Sequence, residues 1–138
     1  MATVRRFEDL EVWKLSRELA LDIYNETIIN SFVQDFELKG QIRKSSGSAM
    51  DNISEGFERG GRKEFIQFLG IAKGSTGEVR SQLYRALDRN HISQEKFDLL
   101  SEKAIRLSKQ LSRFITYLKS SEYKGFKFKE PASPYVEP

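Results

Sequence analysis

Residues 97–118 read FDLLSEKAIRLSKQLSRFITYL, and Phe97, Leu100, Ala104, Leu107, Leu111, Phe114 and Leu118 follow one another at steps of three and four. Such steps keep the apolar side chains on one side of a 3.6-residue helix, the pattern of a buried seam in a helical bundle. Arg106, Lys109 and Arg113 fall opposite the seam as a basic outer stripe. Ser93, with Gln94 and Glu95 behind it, stands where an N-cap belongs, because its hydroxyl can accept an N–H that the first helical turn leaves unpaired. Residues 97–118 are therefore read as the core of the last of several packed helices.

Upstream, the helix expected over residues 63–90 carries Phe65, Phe68, Leu69, Ala72, Val79, Leu83, Ala86 and Leu87 along one stripe and closes at Asn90-His91. Gly70, Gly74, Gly77 and Ser81 lie on its far side. A glycine inside a helix costs about 1 kcal/mol relative to alanine, so three of them point to a close contact that needs bare backbone, the alternative being a locally weak helix with a kink. Since they face away from the core stripe, the contact is expected with another subunit. Arg59-Gly60-Gly61-Arg62 is the strongest break in the chain. Before it, a helix is expected to begin at Ser31, where Ser31-Phe32-Val33-Gln34 has capping-box spacing, or a few residues later, and to reach about Phe57. Its run Ser45-Ser46-Gly47-Ser48-Ala49 is poor helix-forming material that suits the close approach of a neighbouring helix.

The first helix is expected from Leu10 to about Ile29, with Glu8 or Asp9 near its positive end. It has two apolar faces: Leu10, Trp13, Ala20, Leu21, Tyr24 and Ile28 on one, and Val12, Leu15, Leu19 and Ile23 roughly opposite. A surface helix needs one such face, so this helix is either deeply buried or packed against a second body, and in a domain this small that body is expected to be another copy of the chain, met through Val12, Leu19 and Ile23. Four helices, short connections and no strand signal predict an all-α fold, an antiparallel up-down-up-down four-helix bundle over residues 1–121. Residues 122–138, EYKGFKFKEPASPYVEP, hold all three prolines and no helical period, and are read as an extended or disordered tail. Their Tyr123, Phe126, Phe128 and Tyr135, interleaved with Lys124, Lys127 and Lys129, suit nucleic acid, a neighbouring copy, or simple solvation.

Two helices also carry polar residues beside their apolar stripes. Gln41, Ser48, Asn52 and Glu55 share one face of the second helix, and Ser75 and Glu78, with Gln82, repeat the arrangement on the third. An unpaired buried polar group costs roughly 1–3 kcal/mol, so the stripes are expected to face each other as a structural hydrogen-bond network that sets helix register.

Composition bounds the function. The 138 residues are 38% hydrophobic and 31% charged, with a net charge of +3, which suits one soluble domain with a real core. No cysteine is present, so disulfides, thiolate metal sites and thiol nucleophiles are excluded. No signal-peptide core or membrane-length apolar run is seen, and a cytoplasmic location is expected. Residues 1–60 hold 8 basic and 11 acidic side chains, whereas residues 61–138 hold 15 and 9. This polarity suits an anionic partner such as nucleic acid, and equally suits pairing of one subunit's acidic half with its neighbour's basic half.

Positive signs of catalysis are missing. The single histidine, His91, stands at an expected helix end and no serine has a nucleophile motif around it, the Glu-x-x-His pairs of a di-iron bundle are absent, and Gly60-Gly61 lacks the lysine and Ser/Thr of a phosphate loop. No catalytic residue, cofactor or metal site is assigned. The informative residues are cations: Arg62, Lys73 and Arg80 on one flank of the third helix, Arg85 and Arg89 on another, and Arg106, Lys109 and Arg113 on the fourth. Such stripes grip phosphate and supply affinity with little sequence readout.

The stretches FEDLEVWKLSRELALDIYNET (7–27), Leu-x-x-Gln-Ile-Arg (38–43), SAMDNISEG (48–56) and KEFIQFLGIAKGS (63–75), with Glu78, resemble the small bacterial four-helix-bundle proteins encoded in intervening sequences of 23S rRNA genes. The resemblance spans about residues 7–118. The chain departs from it mildly at Ser45-Ser46-Gly47, where alanine is more usual, and at Gly60-Gly61, where a serine or threonine cap is common. The pattern is similar also to the accessory proteins of diversity-generating retroelements, which work with a reverse transcriptase and nucleic acid. The resemblance implies a four-helix bundle assembled as a homopentameric ring, with no enzymatic residues to carry over. It links the chain to ribosomal RNA by gene location only. The expectation is a non-enzymatic homo-oligomer that binds RNA or DNA through basic outer faces; the alternative is a scaffold that engages a protein partner, with its charge serving assembly.

Overall fold

A computed structural model of the chain describes residues 3–120 and 128–132. Four helices, α1 (Glu11–Thr27), α2 (Phe36–Glu58), α3 (Arg62–Asp88) and α4 (Gln94–Ser120), form the expected antiparallel bundle. Each helix packs against its neighbours in sequence and α1 closes against α4, which puts α1 and α3 on a diagonal. The whole apolar seam of α4 is buried, as are Phe65, Leu69, Ala72, Val79, Leu83 and Ala86 of α3, with Phe68 and Leu87 half-buried.

The helix ends follow from local chemistry. Gly60 turns the chain between α2 and α3 with a φ of 80°, a conformation that costs glycine nothing. Ser93 Oγ accepts the Lys96 N–H at 3.1 Å, the expected cap of α4. At the end of α3, Asn90 adopts a left-handed φ of 59°. The His91 N–H then bonds the Ala86 carbonyl at 2.9 Å and the Asn90 N–H bonds that of Leu87 at 3.0 Å, a Schellman closure. The capping-box expectation at Ser31 fails. Residues Asn30–Gln34 form a 3-10 turn instead, and Asp35 caps α2 by accepting the Leu38 N–H at 3.1 Å.

One expectation for α1 is corrected. Val12, Leu19 and Ile23 are 0%, 1% and 1% exposed within the single chain, so they are core and are closed to a second subunit. The outward apolar face of α1 is the other stripe, with Leu21 at 58%, and Tyr24 and Ile28 each at 47%. In the C-terminal segment, Phe128–Lys129 (β2) pairs antiparallel with Thr3–Val4 (β1), and Gln110 Nε2 donates to the Pro131 carbonyl at 2.8 Å. Residues 128–132 thus keep the expected extended form and are tied to the bundle, with Lys129 and Ala132 still exposed, while Tyr123, Lys124, Phe126, Lys127 and Tyr135 lie outside the described residues.

Glu130 explains the bond to α1. Leu10 precedes α1 and offers no side-chain cap, and neither Glu8 nor Asp9 fills that role. The Glu130 carboxyl does, accepting the Glu11 N–H and, at 2.9 Å, the Val12 N–H. Burial pushes this carboxyl up to about 7, against the opposing pull of the two N–H donors.

Candidate functional site

Two regions carry the candidate residues: the outer faces of α3 and α4, and a groove between α2 and α3. On the outer faces, Lys73, Arg80 and Arg113 are exposed and form no ion pair with a described residue. Seven residues separate Lys73 from Arg80, about 10 Å along one side of α3. Arg62 and Arg106 are half-buried and, like exposed Lys109, already interact within the chain.

Arg85 and Arg89 are committed elsewhere. Arg85 Nη1 donates to Gln41 Oε1 at 2.6 Å and its Nη2 to Glu37 at 2.9 Å, while Arg89 Nη1 reaches Asp35 Oδ2 at 2.8 Å. These bonds join the start of α2 to the end of α3. The same Asp35 oxygen accepts from His91 Nε2 at 2.8 Å, and His91 Nδ1 meets Ser31 Oγ at 2.8 Å. Nε2 carries its hydrogen toward the carboxylate, which can only accept, and Nδ1 and the Ser31 hydroxyl share a hydrogen bond in whichever sense the ring's protonation sets. Phe32 stacks on the imidazole, with centroids 4.9 Å apart. Arg89 and then His91 hold the Asp35 carboxyl well below the usual carboxylate range.

Ser31, His91 and Asp35 stand in the order of an acyl-transfer triad. Asp35 also neutralises Arg89 and caps α2, so its charge is shared out rather than focused on the ring. The cluster acts as a clasp. It was missed in the sequence because its members lie up to 60 residues apart.

The polar stripes of α2 and α3 do face each other, but only half of them forms a network. Ser48 Oγ and Ser75 Oγ are 3.0 Å apart, and Asn52 Nδ2 donates to the Ser48 carbonyl at 2.8 Å and to its Oγ at 3.0 Å. Gln41, Glu55 and Glu78 are exposed. Gln41 turns to Arg85, and Glu55 pairs with Arg59 one turn away at 3.0 Å. The expected buried six-residue network is therefore a trio, with Ser75 buried and Ser48 and Asn52 half-buried, and its two serines line a cavity of about 420 Å³ together with Lys44, Glu78 and Gln82. Gln82 is buried and its Oε1 has no hydrogen-bond partner.

The glycines divide into two kinds. A Cβ added at Gly70, Gly74 or Gly77 would meet nothing within 4 Å, so these three leave an open strip of backbone on the outside of α3. Gly47 is likewise open. The close approach of α2 to α3 is made at Gly56, where an added Cβ would lie 2.5 Å from the Phe68 Cβ.

Among the described residues no helix is long and apolar enough to cross a membrane. A family model of the 23S rRNA-intervening sequence protein matches residues 8–113. Among solved structures, a protein of unknown function from the S23 ribosomal protein family of Bacteroides thetaiotaomicron is similar, with a TM-score of 0.69 and 25% sequence identity, over 75% of this chain and 97% of that one. No curated protein matches the sequence.

Proposed function

The chain belongs to the 23S rRNA-intervening sequence protein family, and we propose that it is a non-enzymatic bundle that assembles with copies of itself and binds nucleic acid, RNA first, through the outer faces of α3 and α4. The observation that carries this reading is the division among the cations. Arg85 and Arg89 are used by the fold, whereas Lys73, Arg80 and Arg113 stand exposed without an ion pair to any described residue. Three cations give modest affinity alone, and repetition around an assembly multiplies it.

Assembly has support at two complementary surfaces. Leu21, Tyr24, Ile28 and Ile29 are exposed around the end of α1, and Gly70, Gly74 and Gly77 bare the backbone of α3. Because α1 and α3 are diagonal, joining the first surface of one copy to the second of the next makes a head-to-tail contact, the type that closes rings. Five subunits is the number the resemblance implies. The same apolar face favours the scaffold reading if a different protein covers it.

Fluorescence anisotropy with labelled single-stranded RNA and duplex DNA tests the proposal. Lys73→Glu with Arg80→Glu and Arg113→Glu should weaken binding at least about tenfold at unchanged melting temperature. Absence of binding at low salt, or equal binding by the triple variant, would favour the scaffold.

A further inference from the structure

The groove between α2 and α3 holds three groups that the fold leaves unused. Lys44 of α2 and Glu78 of α3 both line it, both are exposed, and neither pairs with the other or with any described residue. Gln82 is more than nine-tenths buried at the same groove, and its Oε1 is unpartnered. A buried amide without partners is destabilising, and leucine or methionine would fill the position at no such cost. A ligand that both donates and accepts hydrogen bonds satisfies it in either orientation of the amide.

Charge narrows the ligand class. A polyphosphate or an RNA strand that gained Lys44 would meet Glu78, and a polyamine that gained Glu78 would meet Lys44. A net-neutral molecule with separated charges satisfies both: an ammonium toward Glu78 and a carboxylate toward Lys44, whose remaining N–H and oxygen positions serve Gln82 and the Ser48–Ser75 hydroxyl pair. The cavity of about 420 Å³ is in the range of small-molecule sites. The geometry points to a small zwitterion, an α-amino acid, as the occupant of this groove. The site is separate from the RNA-binding reading, because none of Lys73, Arg80 and Arg113 lines it.

Saturation-transfer NMR on the full chain, with each common amino acid at millimolar concentration, followed by calorimetry on those that respond, tests the assignment. At least one amino acid should bind saturably. Its affinity should fall about tenfold or more in Glu78→Gln and in Lys44→Met, the loss expected for one charge-assisted hydrogen bond. Both positions are exposed, so these variants keep the wild-type melting temperature. The assignment is overturned if no amino acid shows transfer, if both variants bind as the wild type does, or if adenosine monophosphate or spermidine competes for the groove.

Discussion

Replacing Gly70, Gly74 and Gly77 together by alanine separates the needs of the subunit from those of the assembly. Within one chain an added Cβ at each position meets nothing within 4 Å, so no clash opposes the change. Each substitution raises helix propensity by about 0.8–1 kcal/mol, partly by restricting the unfolded chain. The three sites lie on the solvent side one turn apart, and if their gains add in full they come to about 2.5–3 kcal/mol. For a domain of this size that raises the melting temperature by roughly 10 °C. At a neighbour's surface the same methyl groups meet packed atoms, and overpacking costs about 1–3 kcal/mol. One such clash weakens association about tenfold. Sedimentation velocity across a dilution series, with calorimetry below the assembly concentration, reads both effects. The account predicts a more stable subunit that dissociates at higher concentration than the wild type. A triple variant that is stabilised and assembles unchanged would refute the assignment of the glycine face as an interface.

Other substitutions probe the bundle itself. Gly56→Ala puts a Cβ 2.5 Å from the rigid Phe68 Cβ, and the overpacking exceeds the propensity gain, so the urea midpoint should fall by the equivalent of about 1 kcal/mol; a rise would show that α2 and α3 separate freely. Asp35→Ala removes the cap of α2 and should cost about 1–2 kcal/mol at neutral pH. Because the Asp35 carboxyl is depressed in the folded chain, its contribution is present above the ordinary carboxylate range and is lost as pH falls below about 4. Urea melts should therefore show the gap between wild type and variant narrowing in acid, and a gap that widens would contradict the clasp. Glu130 has the opposite sign: its carboxyl is raised to about 7 from an ordinary 4.5, so docking of residues 128–132 weakens as pH rises between those values. Exchange protection of the Glu11 and Val12 amides, corrected for intrinsic rate, should be higher at pH 5 than at pH 8 and lose that dependence in Glu130→Gln.

The parts of the fold that were legible are those written in local periodicity. The seam from Phe97 to Leu118, the Ser93 cap and the break at Gly60 are each decided by residues within a few positions of one another. The faces of α1 were visible as two stripes, but periodicity carries no information about which stripe meets the core. Leu10 and Val12 are both fully buried although they belong to opposite stripes, because the chain turns just before α1 begins. The cap supplied by Glu130 crosses more than a hundred residues and has no local signature. The polar stripes pointed to the groove between α2 and α3, yet they overstated the network, since Gln41 and Glu55 have arginine partners that spacing alone did not select. Lys44 carried no signal at all, being one exposed lysine among many until Glu78 is seen across the groove.

The central claim is that exposed cations of α3 and α4 hold phosphate, and the salt dependence of RNA binding tests it most directly. For single strands, the logarithm of the association constant falls against the logarithm of salt concentration with a slope of about −0.7 per phosphate contact. With Lys73, Arg80 and Arg113 each making one contact per subunit, Lys73→Ala with Arg80→Ala and Arg113→Ala should flatten the slope by about 2 for each subunit engaged. An unchanged slope in that variant, or a wild-type slope near zero, would contradict the account.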